Sequence, residues 1–276
     1  MRGPRAAARP LQPIQIGATA LAGVLVAFLG LPVLVLVGRS IGDGALGDVL
    51  GRPAVIAALA LSLRTTAVSI VLAIALGIPL AFVLARRQFR GSALLETAID
   101  LPIVLPPSVA GLGLLLVFGR RGLLGESLDA AGLAIPFTTV AVILAQTFVA
   151  VPLFVRSARA GIAGVERDLE DAARVDGAGE AAVARWITIP LALPAIAAGL
   201  VMAWARALGE FGATIMFAGN VTGRTQTLPL VVYAEFQGGD LDASISAAAI
   251  LVIAAFAVLV AVRSLRWGRA LDTRGA

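Results

Sequence analysis

The sequence predicts an all-α polytopic membrane protein with six transmembrane helices, and three observations carry that prediction. Apolar residues make up 59% of the 276-residue chain and charged residues 14%, against about 45–50% and about 25% in soluble domains; the mean hydropathy is +0.96. Apolar runs of about 20 residues, the length that a hydrocarbon core about 30 Å thick requires, recur along the chain. Arginines punctuate these runs. With the N-terminus inside, 15 of the 22 arginines fall on the inner side and five on the outer, as the positive-inside rule expects.

The elements follow in order. Residues 1–13 carry Arg2, Arg5, Arg9 and three prolines and read as a cytoplasmic tail. The first span, 14–38, is longer than the apolar core of a cleaved signal peptide, about 7–15 residues, and reads as uncleaved. A short polar loop, 39–53, leads to the second span, 61–85, with a further turn or two from Ala54. Arg86, Arg87 and Arg90 stop it. The third span, 98–118, is broken by Pro102, Pro106 and Pro107, and the fourth is 137–155. A charged loop, 156–190, precedes the fifth span, 191–217, which carries Arg206 and Glu210. A short apolar piece, 228–236, comes before the sixth span, 243–262. The six-span transmembrane domain is 14–263, and 264–276 is a second cytoplasmic tail.

Absent residue types exclude several functions. The chain has no Cys and no His, and every basic residue is Arg. Disulfides and thiolate chemistry are therefore out, as are the commonest general base and transition-metal ligand. A P-loop needs its Lys to reach the β- and γ-phosphates, so any ATP chemistry must lie on a partner chain. No catalytic residue, cofactor site or metal site is expected. The net charge of +5 is spread between apolar runs, which suits topology better than nucleic-acid binding.

The charged loop breaks the apolar pattern. From Arg156 to Trp186 it holds five arginines and six carboxylates. Val165 to Val175 sets Leu169, Ala172 and Ala173 on one helical face, with Glu166, Arg167, Glu170 and Arg174 elsewhere. Acidic residues crowd the first turns, where the helix dipole favours them, and Gly177 stands where a helix end needs a left-handed residue. A second short helix is expected over 180–187, ending before Pro190 because proline pushes its predecessor out of the α region. A bent helix pair with small alanines at its tip suits a partner's groove.

The spacing Asp-Ala-Ala-x3-Gly-x9-Ile-x-Ile-Pro, through Asp171, Ala172, Ala173, Gly177, Ile187 and Pro190, resembles the EAA loop of ABC-importer permeases. Asp171 replaces the usual Glu and Ile189 the usual Leu. Arg206-Ala-Leu-Gly-Glu210-Phe-Gly-Ala-Thr214 and Phe217-Ala-Gly-Asn220 resemble the oxyanion branch, the molybdate and sulfate permeases. The segments Leu101–Pro107, Gly119–Gly122 and Arg224–Pro229 are similar to molybdate permeases in particular. The resemblance implies the type I importer permease fold and ATP-driven import of an oxyanion by alternating access. It also implies a homodimeric pore in the inner membrane, two ATPase subunits holding ATP and Mg, and an extracytoplasmic binding protein. Leu169, Glu170, Asp171, Ala172, Ala173, Gly177, Ile187 and Pro190 would then couple to the ATPase. Sulfate or tungstate are rival substrates, and a secondary transporter or channel working alone is the rival class.

A tetrahedral dianion needs hydroxyls, amides or guanidinium groups along its route, and charge inside a span is functional by default. The path candidates are Arg64, Thr65, Thr66, Ser69, Arg206 and Glu210. Against that role, Arg206 and Glu210 have the i,i+4 spacing of a self-neutralising pair. Thr65 and Thr66 also suit bonding to carbonyls of their own helix, and Arg64 suits snorkelling to the interface. Arg120, Arg121, Asn220 and Arg224 in outer loops are candidates for docking the binding protein.

Overall fold

The computed structural model describes residues 13–87 and 89–272, and among them every regular element is helical. In order these are α1 (Pro13–Gly42), α2 (Ala45–Leu50), α3 (Pro53–Arg86), α4 (Ser92–Val104), α5 (Pro107–Phe118), α6 (Gly125–Ala130), α7 (Thr139–Ala163), α8 (Arg167–Val175) and α9 (Glu180–Val183). A π-helical turn, Ala184–Thr188, joins α9 to α10 (Ile189–Leu208), followed by α11 (Gly212–Phe217), α12 (Leu228–Gln237) and α13 (Leu241–Asp272). Among the described residues five helices are long and apolar enough to cross a membrane singly, and α4 with α5 makes a sixth segment bent by 117°. The tail expected over 1–13 lies, but for Pro13 at the start of α1, outside the described residues. Most of the second tail is helical, since α13 runs on to Asp272.

The centre of the bundle is α7, packed between α3 and α10. Phe154, Ala158 and Ile162 of α7 meet Ala73 and Ala81 of α3 and Ala192, Ile196 and Ala203 of α10, all buried. Lipid tails are as apolar as leucine, so close packing rather than hydrophobic transfer holds such helices, and small residues permit it. At the other end of α7, Val142, Ala145 and Val149 meet Ala110 and Leu114 of α5 and Ala213 and Phe217 of α11. Here Gly111 is obligatory: a Cβ on it would lie 2.6 Å from the Ala213 carbonyl oxygen. α12 and α13 cover the start of α3 through Val55, Ala58, Leu228 and Ala247. α1 lies along α13 and α2 with its apolar side chains exposed.

Several expected boundaries move. The loop expected over 39–53 is shortened by the end of α1 and by α2. The second span takes up the further turns expected from Ala54 and starts at Pro53, where a proline costs no hydrogen bond. The third is two helices rather than one kinked span. Leu105, extended before Pro106 at ψ 135°, and Pro106 itself separate them, whereas Pro102 is absorbed inside α4. The fourth runs on to Ala163, so Arg156 and Arg159 belong to helix α7 and not to the loop. The fifth ends at Leu208; Glu210 lies in the following break and 212–217 is a separate helix.

Proline does not end the second loop helix either. The Ile189 N–H reaches back five residues to the Ala184 carbonyl, and this widened turn accepts Pro190, which lacks an N–H and would crowd the carbonyl of a regular α turn. The helix therefore continues unbroken from the loop into the fifth span.

Gly111→Val should lower the unfolding midpoint in detergent, by the roughly 1–3 kcal/mol of an overpacked core. Gly113→Val, whose added carbon meets nothing within 4 Å, should leave it nearly unchanged. Equal effects at the two positions would contradict the α5–α11 contact.

Candidate functional site

The loop outside the bundle is built as a lever. α8 has Asp168 and Glu170 in its first turn and ends with Asp176 and Gly177, the latter at φ +90°. The Ala178 N–H closes the end by donating to the Ala173 carbonyl at 2.9 Å. Arg174 then clamps the two short helices together. Its Nη1 meets Asp171 at 2.6 Å, and its Nε and Nη2 meet both oxygens of Glu180 at 2.7 and 3.2 Å. The hydrogen bond from Arg174 holds the Glu180 carboxyl below its ordinary range, with the charges of Arg174 and Arg87 adding to it. Leu169, Ala172 and Val175 are exposed along the outer face, Val175 at 87%.

Glu170 does not share that outer face. It is 3% exposed, and its Oε1 accepts from Arg86 Nη2 and from Thr188 Oγ1, each at 2.6 Å. Arg86 Nη2 also donates to the Val165 carbonyl at 3.3 Å. One carboxylate therefore ties α8 to the end of α3 and to the π turn at the root of α10. Glu170, expected among the coupling residues, is turned inward by burial and two short hydrogen bonds. Helical periodicity placed it off the Leu169 face but could not say what lay behind it.

Inside the bundle, a polar seam joins α3 to α7. Ser69 Oγ donates to the Ile143 carbonyl at 3.1 Å and meets Gln146 Oε1 at 3.2 Å, and Gln146 Nε2 donates to Thr66 Oγ1 at 3.3 Å. Thr65 Oγ1 donates back to the Leu61 carbonyl of its own helix at 2.9 Å. Ser62 Oγ accepts from the Leu228 N–H at 2.8 Å. Thr65, Thr66, Ser69 and Gln146 are all buried within the chain. Gln146 was missed from sequence; a lone amide in an otherwise apolar helix was the available signal. Arg64 is different. It is exposed, lines a shallow cleft with Gly223, and has no ion pair among the described residues.

The two helix breaks meet. A Cβ on Gly212, just after the break at 209–211, would lie 2.7 Å from Pro107 Cβ, just after the break at 105–106. Glu210, 1% exposed, organises this contact: its Oε1 accepts from the Ala213 N–H at 2.7 Å and Oε2 lies 2.5 Å from Arg206 Nη1. It both starts α11 and neutralises Arg206, which stays one-third exposed. Non-helical backbone at membrane depth is tolerated only where protein buries it or it lines a water-filled cavity, and such breaks mark the substrate region of transporters.

At the end of α7 remote from the lever, Arg120 and Arg224 line a cavity of about 480 Å³ with Asp129, Phe118 and Phe137. Phe137 has φ +60°, uncommon for a bulky residue and a pointer to function. Arg121 and Asn220 do not line this cavity. Among the described residues no group of three potential ligands is arranged to hold a metal.

An apolar bundle with paired helix breaks and an anchored amphipathic lever outside it has the build of a membrane transport subunit. Comparison with known proteins narrows the class. Residues 73–274 match the family described as binding-protein-dependent transport system inner membrane component, and the chain belongs to that family. It is 46% identical over 205 residues to the molybdenum transport system permease protein ModB of Mycobacterium tuberculosis, covering 74% of this chain and 77% of that one. It is 44% identical over 190 residues to ModB of Escherichia coli, covering 68% and 83%. Its fold matches that of a bacterial ABC transporter for the acidic polysaccharide alginate, with a TM-score of 0.73 at 17% identity over 91% of this chain and 94% of that one. The fold is that of a type I ABC-importer permease.

Glu170→Ala should cost about 3–5 kcal/mol, because it strands the buried Arg86 charge, whereas Asp171→Ala, at an exposed pair, should cost under about 1 kcal/mol. Unfolding midpoints in detergent separate the two, and similar values would contradict the anchor. The Glu180–Arg174 clamp should hold above the ordinary carboxylate range. Because the folded-state value is depressed, it should open only as pH falls through that lower value. Proteolysis at 176–179 across an acid titration reads this directly, and unchanged cleavage down to acid pH would count against the clamp.

Proposed function

We propose that the chain is the permease subunit of an ATP-driven molybdate importer, working as a homodimer between an extracytoplasmic oxyanion-binding protein and two cytoplasmic ABC ATPases. The observation that carries the reading is the α8–α9 pair, which offers Leu169, Ala172 and Val175 outward while Glu170 anchors it from behind. This is the form of a helix seated in a partner's groove. The molybdenum-transport names of relatives at 44% and 46% identity support the substrate. The arginine distribution supports an orientation with both termini and loop 156–190 in the cytoplasm, around a permease domain of 14–263.

In this mechanism ATP and Mg sit on the partner, and closure of the ATPase pair draws the two coupling loops together. Leu169, Asp171, Ala172 and Ala173 take the push, Gly177 sets the bend, and Ile187 and Pro190 carry the chain into the membrane. Glu170 passes the displacement to Arg86 on α3 and Thr188 below α10. α10 delivers it to the break at 209–211, packed on the α5 break, so alternating access is a rearrangement of these two breaks. Arg64 and Arg206 attract the dianion, and Glu210 tempers Arg206 so that the anion is not trapped. Thr65, Thr66 and Ser69 serve the path from behind by holding α3 to α7. Arg120, Arg121, Asn220 and Arg224 form the docking end.

Vesicles holding the permease, its ATPase and the binding protein should take up molybdate only with ATP, and tungstate, of nearly equal size and charge, should compete. ATP-independent flux would reject the importer, and sulfate competing as well as molybdate would reassign the substrate. Gly177→Val, strained at φ +90°, should abolish uptake while membrane insertion persists.

A further inference from the structure

A cleft of about 580 Å³ opens where the end of α3, the start of α4, the end of α7 and the start of α8 meet. Five guanidinium groups line it, from Arg86, Arg87, Arg90, Arg159 and Arg167, against one carboxylate, Glu96. Glu96 is taken by Arg159 at 2.8 Å, and one end of Arg86 is taken by Glu170. Among the described residues no carboxylate pairs with Arg87, Arg90 or Arg167. Arg87 acts on Glu180 only through space, and Glu180 is already held by Arg174. The cleft therefore carries uncompensated positive charge.

Two further features call for an anion there. The 13-residue α4 begins at Gly91 with no side-chain cap and no acidic residue in its first turn. The Ser92 N–H donates to the Phe89 carbonyl at 3.1 Å, so what the helix brings to the cleft wall at Ser92 is the positive end of its dipole. Independently, Arg86 is nine-tenths buried, yet its Nε has no hydrogen-bond partner. A buried donor left unpaired costs about 1–3 kcal/mol, and an anion seated in the cleft that Arg86 lines would offset the charge of this guanidinium. Guanidinium forks together with a helix N-terminus form a receptor for a tetrahedral phosphate.

The surroundings choose the source of that phosphate. The cleft lies at the end of a membrane span, and Phe89 and Leu94 beside it are exposed at 43% and 75%. A free anion has no use for those side chains, whereas acyl chains do. Basic pockets between membrane helices on the cytoplasmic side take anionic headgroups. We propose that this cleft binds the phosphate of an anionic phospholipid, with its acyl chains along Phe89 and Leu94. The site is independent of the transported substrate. Because Arg86 serves both the cleft and the α8 anchor, a seated headgroup touches the guanidinium that holds the lever.

The test is lipid retention, read by native mass spectrometry on the permease purified from nanodiscs of mixed phosphatidylglycerol and phosphatidylethanolamine. The wild-type protein should retain phosphatidylglycerol preferentially. The double variant R87Q/R90Q should retain it about thirtyfold less, and R87K/R90K, which keeps the charge, should retain most of it. R120Q/R121Q, losing two charges at the opposite end, should behave as wild type. No loss in R87Q/R90Q, or an equal loss in R120Q/R121Q, overturns the site. Displacement of the lipid by inorganic phosphate overturns the lipid assignment in favour of a soluble oxyanion.

Discussion

Most of this structure's mechanical sense depends on one buried carboxylate. Glu170 sits with Arg86 and Thr188 where the end of α3, α8 and the root of α10 converge, each contact at 2.6 Å. A charge withdrawn from water is tolerable only while its partners stay in place, so the three segments are constrained to move together. α8 is a nine-residue helix, too short to be stable by itself. Its position is therefore set by this contact and by the Arg174 clamp.

The interior of the bundle follows the same economy of polar groups. The α3–α7 seam satisfies its amide and hydroxyls mutually. In a medium without water this fixes the rotation of one helix against the other more firmly than alanine packing alone. Arg206 and Glu210 form a different arrangement: the carboxylate is committed to the α11 backbone and the arginine remains partly open. Charge is thus concentrated where helix continuity fails, beside the α5 break, while the alanine-lined contacts of α7 with α3 and α10 are left apolar. One half is built of continuous, closely packed helices and the other of broken ones.

The all-helical multi-span fold and the pair of short helices in the charged loop were legible because each rests on local chemistry: apolar run length, and a Gly177 that tolerates positive φ. Helix ends were less legible where proline was involved. Pro190 looked like a stop and is accommodated by a π turn, whereas the Pro106–Pro107 pair, weighed equally with Pro102, turns the chain by 117°. Proline's effect depends on whether the preceding carbonyls find other partners, and that is tertiary information. The inward turn of Glu170 and the role of Gln146 were illegible for the same reason. Their partners lie 84 and about 80 residues away, and no periodicity within one helix reports them.

The π turn at 184–188 has a consequence for register. A π turn is what an α-helix becomes when it holds one residue more than its pitch accommodates. Each residue advances an α-helix by about 100°, so that extra residue sets the azimuth of the whole loop relative to the fifth span. Removing it would regularise the helix yet rotate α9, with Glu180 and its Arg174 clamp, by about 100° against Thr188 and Arg206, which lie together beyond the turn. The local irregularity is a phase adjuster: it lets one continuous rod face the lever at one end and the break at the other.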